Sequence, residues 1–189
     1  MTDTKRHTLP ANADRIAEDI DALAGITEPG HPWTRRAFSP LFLEGRAYID
    51  ARMKAAGLET RMDAAGNLIG RREGAKPGLG TILVGSHSDT VPDGGRFDGI
   101  AGTIAALEVA RSLKDRGIEL DHDLEIVDFL AEEVSIFGVS CVGSRGMTGQ
   151  IPEAWLSRTS GDRTLSQGIA EVGGDPSVLL SQKRPDIAG

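Results

Sequence analysis

Apolar and polar positions follow two rhythms along this chain, and the change from one to the other marks out its elements. Ile16, Ile20 and Leu23 recur at i, i+4 and i+7, with Asn12 placed to cap a first helix and Gly25 to end it. Ser39-Pro40 repeats the signal, a cap followed by proline at the first helical position, and opens a second helix through Tyr48, Ile49 and Met53 to a stop at Gly57. Leu58 to Met62 and Asn67 to Gly70, on either side of the turn residues around Gly66, read as a hairpin. Thr81 to Gly85 is a short apolar run of the kind that makes a buried strand, although its length alone also admits a buried helical turn. From Gly99 to Arg116 the residues Ile100, Ile104, Leu107 and Leu113 share one helical face, with Gly117 as the stop. Leu124 to Leu130 is the next strand. Strand, helix and strand at this spacing form a βαβ unit with a right-handed crossover, so the two strands are parallel neighbours or near-neighbours. Beyond Ile151 the pattern weakens: Leu165, Ile169 and Val172 predict a short amphipathic helix, and Asp175-Pro176 caps another through Leu179 and Leu180. The predicted fold class is α/β, with a mixed, largely parallel sheet flanked by helices.

Composition narrows the function classes. A chain of 189 residues, 39% hydrophobic and 26% charged, is expected to be one soluble globular unit. Its net charge of -7 repels a phosphate backbone, and Arg35-Arg36 and Arg71-Arg72 are too short to make a basic patch, so no nucleic-acid partner is expected. The lone Cys141 rules out an intramolecular disulfide and fits a reducing, cytoplasmic location. Met1 to His7 is charged with no apolar stretch behind it, and no later run approaches the ~20 apolar residues of a membrane helix. Neither a signal peptide nor a membrane partner is expected. A small-molecule substrate is the expected partner.

The candidate chemistry sits where the two parallel strands end. GSHSDTVPDGGRFDG (Gly85 to Gly99) follows the first, and AEEVSIFGVSCVGSRGM (Ala131 to Met147) follows the second. Ligands in open α/β sheets bind outside the carboxyl ends of strands, so both loops can face one crevice. His87 offers an imidazole nitrogen, and Asp98, Glu132 and Glu133 offer carboxylates, a mixed set suited to zinc, manganese, cobalt or nickel. Asp89, two residues from His87 in an extended segment, points the same way and can orient the ring. Taken singly, each has an ordinary reading: a hydrogen-bonded strand-end histidine, aspartates in Asp-Gly turns, solvated glutamates. Together they leave a metal-dependent hydrolase and a purely structural role both open.

GSHSDTVPDGGRFDGIAG followed by LAEEVSIFGVSCVGSRGM resembles the group of N-carbamoyl-L-amino-acid hydrolases, allantoate amidohydrolases and β-ureidopropionases within the dinuclear-metal aminoacylase and carboxypeptidase superfamily. The upstream segments TRRAFSP, GRAYIDARMKAAGLE and DAAGNLIGRR extend the resemblance, which runs in register from about Thr34 to about Met147. GGRFDG at Gly94 to Gly99 is similar to the carbamoylase group rather than to the peptidases of the superfamily.

That resemblance implies a catalytic domain holding two divalent metal ions. His87 would bind the first ion, Asp98 would bridge both, and Glu133 would bind the second. Glu132 would be the general base and Asp89 would orient His87. Ser88 departs from the group, which often has a larger apolar residue there, as do Val134, where glycine is expected, and Ile136, where arginine is expected. The group also implies a further histidine ligand soon after the position of Gly189, another near the end of the catalytic domain, and a dimerisation domain between them that makes full-length relatives homodimers. Residues 1–189 are therefore expected to be an incomplete catalytic domain without the dimerisation domain. On this view each metal has two of its three protein ligands here, and the chain by itself is inactive. His7, His31 and His122 match none of the missing ligands and are expected in surface or turn roles. A peptidase or aminoacylase of the same superfamily and a non-catalytic, partner-binding domain are the competing expectations.

Overall fold

A computed structural model of the chain describes residues 9–189. Met1 to Thr8, and with them His7 and the stretch read for a leader, lie outside the described residues. Two helices come first, as their caps predict. Asn12 accepts from the Arg15 amide to start α1 (Ala13–Gly25), and Ser39 accepts from the Phe42 amide to start α2 (Pro40–Ala55). The hairpin β1 (Glu59–Met62) and β2 (Leu68–Arg72) follows, then β3 (Thr81–His87), α3 (Ile100–Asp115) and β4 (Asp123–Phe129).

The expected mixed sheet is present, in the order β1-β2-β4-β3. β1 with β2 and β2 with β4 are antiparallel, whereas β3 and β4 are parallel and directly adjacent, with Thr81 opposite Asp123 and His87 opposite Phe129. One face of this sheet is covered by α1, α2 and α3. Leu23, Ile49, Met53, Ile104 and Leu107 pack there against Leu124 and Ile126. The period of 2 along β4 sends Leu124, Ile126 and Asp128 to that face, and Glu125, Val127 and Phe129 to the other. On the second face Ile69 and Val127 meet Met147. Glu125, fully buried, is held between Arg61 at 3.0 Å and Arg184 at 2.8 Å.

The C-terminal part builds a second cluster in which Leu165, Ile169 and Leu179 pack with Phe42, Leu130 and Phe137. It contains α4 (Val142–Met147), α5 (Glu153–Leu156), the short strands β5 (Thr159–Ser160) and β6 (Arg163–Thr164), α6 (Leu165–Glu171) and a 3-10 turn at Leu179–Ser181. The helix expected after Asp175-Pro176 is reduced to that one turn. The Asp175 carboxylate accepts from both the amide and the hydroxyl of Ser177, which closes a local turn in place of a helical cap. The last residues run along the outer edge of β3 in the parallel sense: the Thr81 amide donates to the Asp186 carbonyl at 2.7 Å and the Leu83 amide to the Gly189 carbonyl at 2.7 Å. Among the described residues no helix is long and apolar enough to cross a membrane.

Candidate metal centre

Parallel pairing with no intervening strand brings the two chemical loops side by side. His87 is the last residue of β3, and Ala131-Glu132-Glu133 begins two residues beyond β4. The His87 ring is buried. Its Nδ1 lies 3.0 Å from the Asp89 carbonyl oxygen, which holds the proton on that nitrogen and turns the Nε2 lone pair outward. Nε2 then faces Glu132 Oε2 at 3.5 Å and Asp98 Oδ1 at 3.8 Å. His87, Glu132 and Glu133 each offer a ligand atom, all within 4.8 Å of one another.

Electrostatics give the same reading. Burial opposes the charged ring, but hydrogen bonding to Asp89 and the charges of Asp89 and Glu132 outweigh it and push the His87 pKa up to about 9. Burial, then the neighbouring Asp98 carboxylate, raises Glu133 above its ordinary value. A cluster that raises the pKa of both an imidazole and a carboxylate is short of positive charge. A divalent cation supplies it, and one imidazole nitrogen with several carboxylate oxygens is a donor set that fits such an ion.

The structure thus brings together His87, Glu132 and Glu133, with Asp98 beside them on the exposed rim, its side chain 61% accessible. Asp89 is used differently from the simplest expectation. Its carboxylate stands 3.6 Å from His87 Nδ1, long for a hydrogen bond, and accepts instead from the amides of Glu132 at 3.3 Å and Glu133 at 3.2 Å. Asp89 therefore ties the two loops together, steering His87 with its backbone and the glutamate pair with its side chain. His31, by contrast, is exposed and pairs with Asp93 at 3.1 Å, and His122 lies at the entry to β4.

Local backbone strain concentrates at the glutamates. Ala131 (φ 46°) and Cys141 (φ 55°) are both left-handed, and the Cys141 amide donates to the Glu132 carbonyl at 2.9 Å, pinching the loop shut behind the pair. Sequence reasoning missed one supporting residue altogether. Arg35 is buried beneath the loop and donates to the carbonyls of Ser88, Leu23 and Ile26 at 2.9, 2.6 and 2.9 Å. In the sequence the RR pair stands out only as a short basic run and as part of TRRAFSP, neither of which points to a buried role.

Gly99, which caps α3 beside the ring, has φ 65°, and a Cβ there would stand 2.5 Å from His87 Cε1 and Nδ1. Gly99→Ala is expected to destabilise the fold by more than about 1 kcal/mol, because alanine is strained at positive φ and the ring must also move. Equilibrium urea unfolding checks this; a variant as stable as the parent would mean that His87 is not packed against the α3 cap.

The model of Peptidase family M28 matches residues 67–160. An N-carbamoyl-L-amino-acid amidohydrolase of Paenarthrobacter aurescens is 41% identical over 176 residues, covering 92% of this chain and 43% of that protein. A ureidoglycolate hydrolase of Oryza sativa subsp. japonica is 41% identical over 139 residues, covering 73% of this chain and 29% of that protein. Among solved structures, a hydantoinase/carbamoylase family amidase from Burkholderia ambifaria superposes with a TM-score of 0.82 at 34% identity, covering 95% of this chain and 44% of that one. The chain spans less than half the length of each of these proteins. By sequence and by fold, the chain belongs to the group of N-carbamoyl-L-amino-acid, allantoate and related amidohydrolases and corresponds to their N-terminal part.

Proposed function

We propose that this chain carries one wall of a two-metal active site that hydrolyses a linear, non-peptide carbon–nitrogen bond in an N-carbamoyl amino acid, allantoate or a β-ureido acid. The observation that carries the reading is the convergence of His87, Glu132 and Glu133 at adjoining ends of two parallel strands, with Asp98 3.8 Å from the same imidazole. His87 and Asp98 would hold one divalent ion, Asp98 and Glu133 a second, and the mixed donor set suits zinc, manganese, cobalt or nickel. When bound, such ions make water more acidic and offset negative charge growing on a carbonyl oxygen.

The chain's own residues supply the rest. Glu132, half-exposed in the crevice, takes the proton from the attacking water and passes it to the departing nitrogen. Asp89 keeps His87 and both glutamates in register. With an N-carbamoyl amino acid, water adds to the ureido carbonyl and the bond to the terminal nitrogen breaks. Ammonia leaves, and the remaining carbamate loses carbon dioxide to give the amino acid. The lone Cys141 favours a cytoplasmic setting. A peptidase or aminoacylase activity is the second reading, favoured by the M28 match. Parallel assays of N-carbamoyl and N-acyl amino acids on a catalytically competent form separate the two: ammonia release from the first supports the amidohydrolase, and faster cleavage of the second overturns it.

We propose further that the site needs donors from outside residues 1–189, since each ion would otherwise have two protein ligands. The 189-residue chain alone is expected to bind zinc or manganese weakly and to release no ammonia. Disturbing even a partner of a metal ligand costs ~10–100-fold in affinity, and lacking a ligand should cost more. Calorimetric titration and an ammonia assay check this. Tight uptake of two equivalents, with turnover lost in Glu132→Gln, would show that these residues complete the site themselves or by self-association.

A further inference from the structure

Ser88 separates His87 from Asp89, and its side chain turns away from both, into the core. Ser88 and Asp128 are fully buried. The Ser88 hydroxyl donates to Asp128 Oδ2 at 2.8 Å, and the same oxygen accepts from Arg46 Nε at 3.1 Å. Arg46 continues through Nη2 to the Asp128 carbonyl at 3.0 Å and through Nη1 to the Gly66 carbonyl. Asp128 occupies an inward position of β4, in line with Leu124 and Ile126, where an apolar side chain would simply extend the core. A buried ion pair is often no more stabilising than well-packed apolar residues of the same volume. Its effect is better sought in what it orients.

What it orients is the segment Ser88 to Thr90. From the opposite side Arg35 Nε donates to the Ser88 carbonyl at 2.9 Å, the Arg35 amide to Thr90 Oγ1 at 2.8 Å, and the Thr90 amide to the Arg35 carbonyl at 3.0 Å. The residue between these anchors is Asp89, whose carbonyl faces the His87 ring and whose carboxylate takes the amides of Glu132 and Glu133. A hydroxyl bond at 88 therefore fixes, through one residue, the direction of three metal-facing side chains.

We propose that Ser88, anchored through Asp128 to Arg46, is a positioning residue of the metal centre, setting Asp89 and through it His87 and the Glu132-Glu133 pair. The inference rests on the metal-centre reading above. Ser88→Ala removes only the hydroxyl, and Ser88→Thr keeps it. In a chimera joining this chain to the remaining part of the Paenarthrobacter relative, two quantities are measured: cobalt(II) affinity by competition with a chromophoric chelator, and hydrogen exchange of the Glu132 and Glu133 amides. Ser88→Ala is expected to bind cobalt ~10–100-fold more weakly, the range seen when a partner of a metal ligand is lost, and to exchange both amides faster. Ser88→Thr is expected to restore both values, and if the extra methyl prevents folding, Ser88→Ala still decides.

A role confined to packing would lower the melting temperature without moving either quantity. Unchanged cobalt affinity in folded Ser88→Ala overturns the inference, and unchanged amide exchange overturns its route through Asp89. A parent protein that takes up no cobalt overturns the metal-centre reading and this inference with it. A parent that binds cobalt, beside a Ser88→Ala variant that binds it equally, overturns the Ser88 relay alone.

Discussion

Glu132→Gln lowers hydrolysis by about 10²–10⁴-fold while divalent metal uptake is retained. The amide keeps the shape of the carboxylate and loses only its ability to accept a proton, so the deficit falls on kcat. The surroundings of Glu132 favour this assignment. Its carboxylate is 39% accessible from the crevice, with Oε1 3.6 Å from Cys141 Sγ and Oε2 3.5 Å from His87 Nε2. Glu133, in contact with Asp98 and raised in pKa by burial and by that contact, is the better placed of the two to share an ion with it. The assay needs a catalytically competent polypeptide, for which a chimera with the remaining part of the Paenarthrobacter relative serves. Metal content is measured on the same sample. Loss of bound metal in Glu132→Gln would exchange the roles of the two glutamates, and full activity would remove Glu132 from the chemistry.

Arg46→Met destabilises the fold by about 3–5 kcal/mol, the cost of breaking a buried pair from one side. Arg46 is 5% exposed and Asp128 fully buried, so the remaining carboxylate has no solvent to turn to. It already lacks a partner for Oδ1, and burial raises its pKa against the opposing charge of Arg46. Without the guanidinium it takes up a proton or draws the strand apart. For a chain of this size the change corresponds to roughly 6–20 °C in melting temperature. The double variant Arg46→Met with Asp128→Leu should recover most of the loss, because the charge that suffers is gone with its partner. A single variant within ~1 kcal/mol of the parent would show that water reaches Asp128.

Much of this molecule can be read locally. Asn12, Ser39-Pro40 and Gly117 punctuate α1, α2 and α3 as capping chemistry predicts, and the βαβ spacing correctly makes β3 and β4 parallel neighbours. That adjacency is why the sequence alone places His87 and the glutamates at one crevice. Features that depend on distant partners were not legible. α4 carries Gly143 and Gly146 within six residues, a composition that reads as loop; it is helical because small residues let it approach Asn67 and Ala65. Asn67 joins the Leu130 amide to the Gly143 carbonyl across 63 and 76 residues, and no period of 2 or 3.6 reveals such a link. The carboxylate of Asp89 was assigned to the nearer ring, whereas the amides 43 and 44 residues downstream claim it. Asp128 did leave a signal: a charge at a core-facing position in the run DLEIVDFL, beside a serine at 88 where an apolar residue was expected.

The parallel pairing of Asp186 to Gly189 with β3 also bears on how this polypeptide behaves in concentrated solution. An outer strand with free amides and carbonyls is a template for other chains, and cross-β stacking draws on uninterrupted segments of about six or seven residues. Of the seven residues of β3, Thr81 to Leu83 are already occupied by the tail; beyond them no strand pairs with this edge among the described residues, and Val84 and Gly85 are exposed. The open run is shorter than a fibril needs, and Gly85 interrupts it with a residue that adds no side chain to a zipper. Pairing by Asp186 to Gly189 is what limits the open run to Val84–His87, and a cut that frees this segment would add Thr81 to Leu83 to the edge on offer.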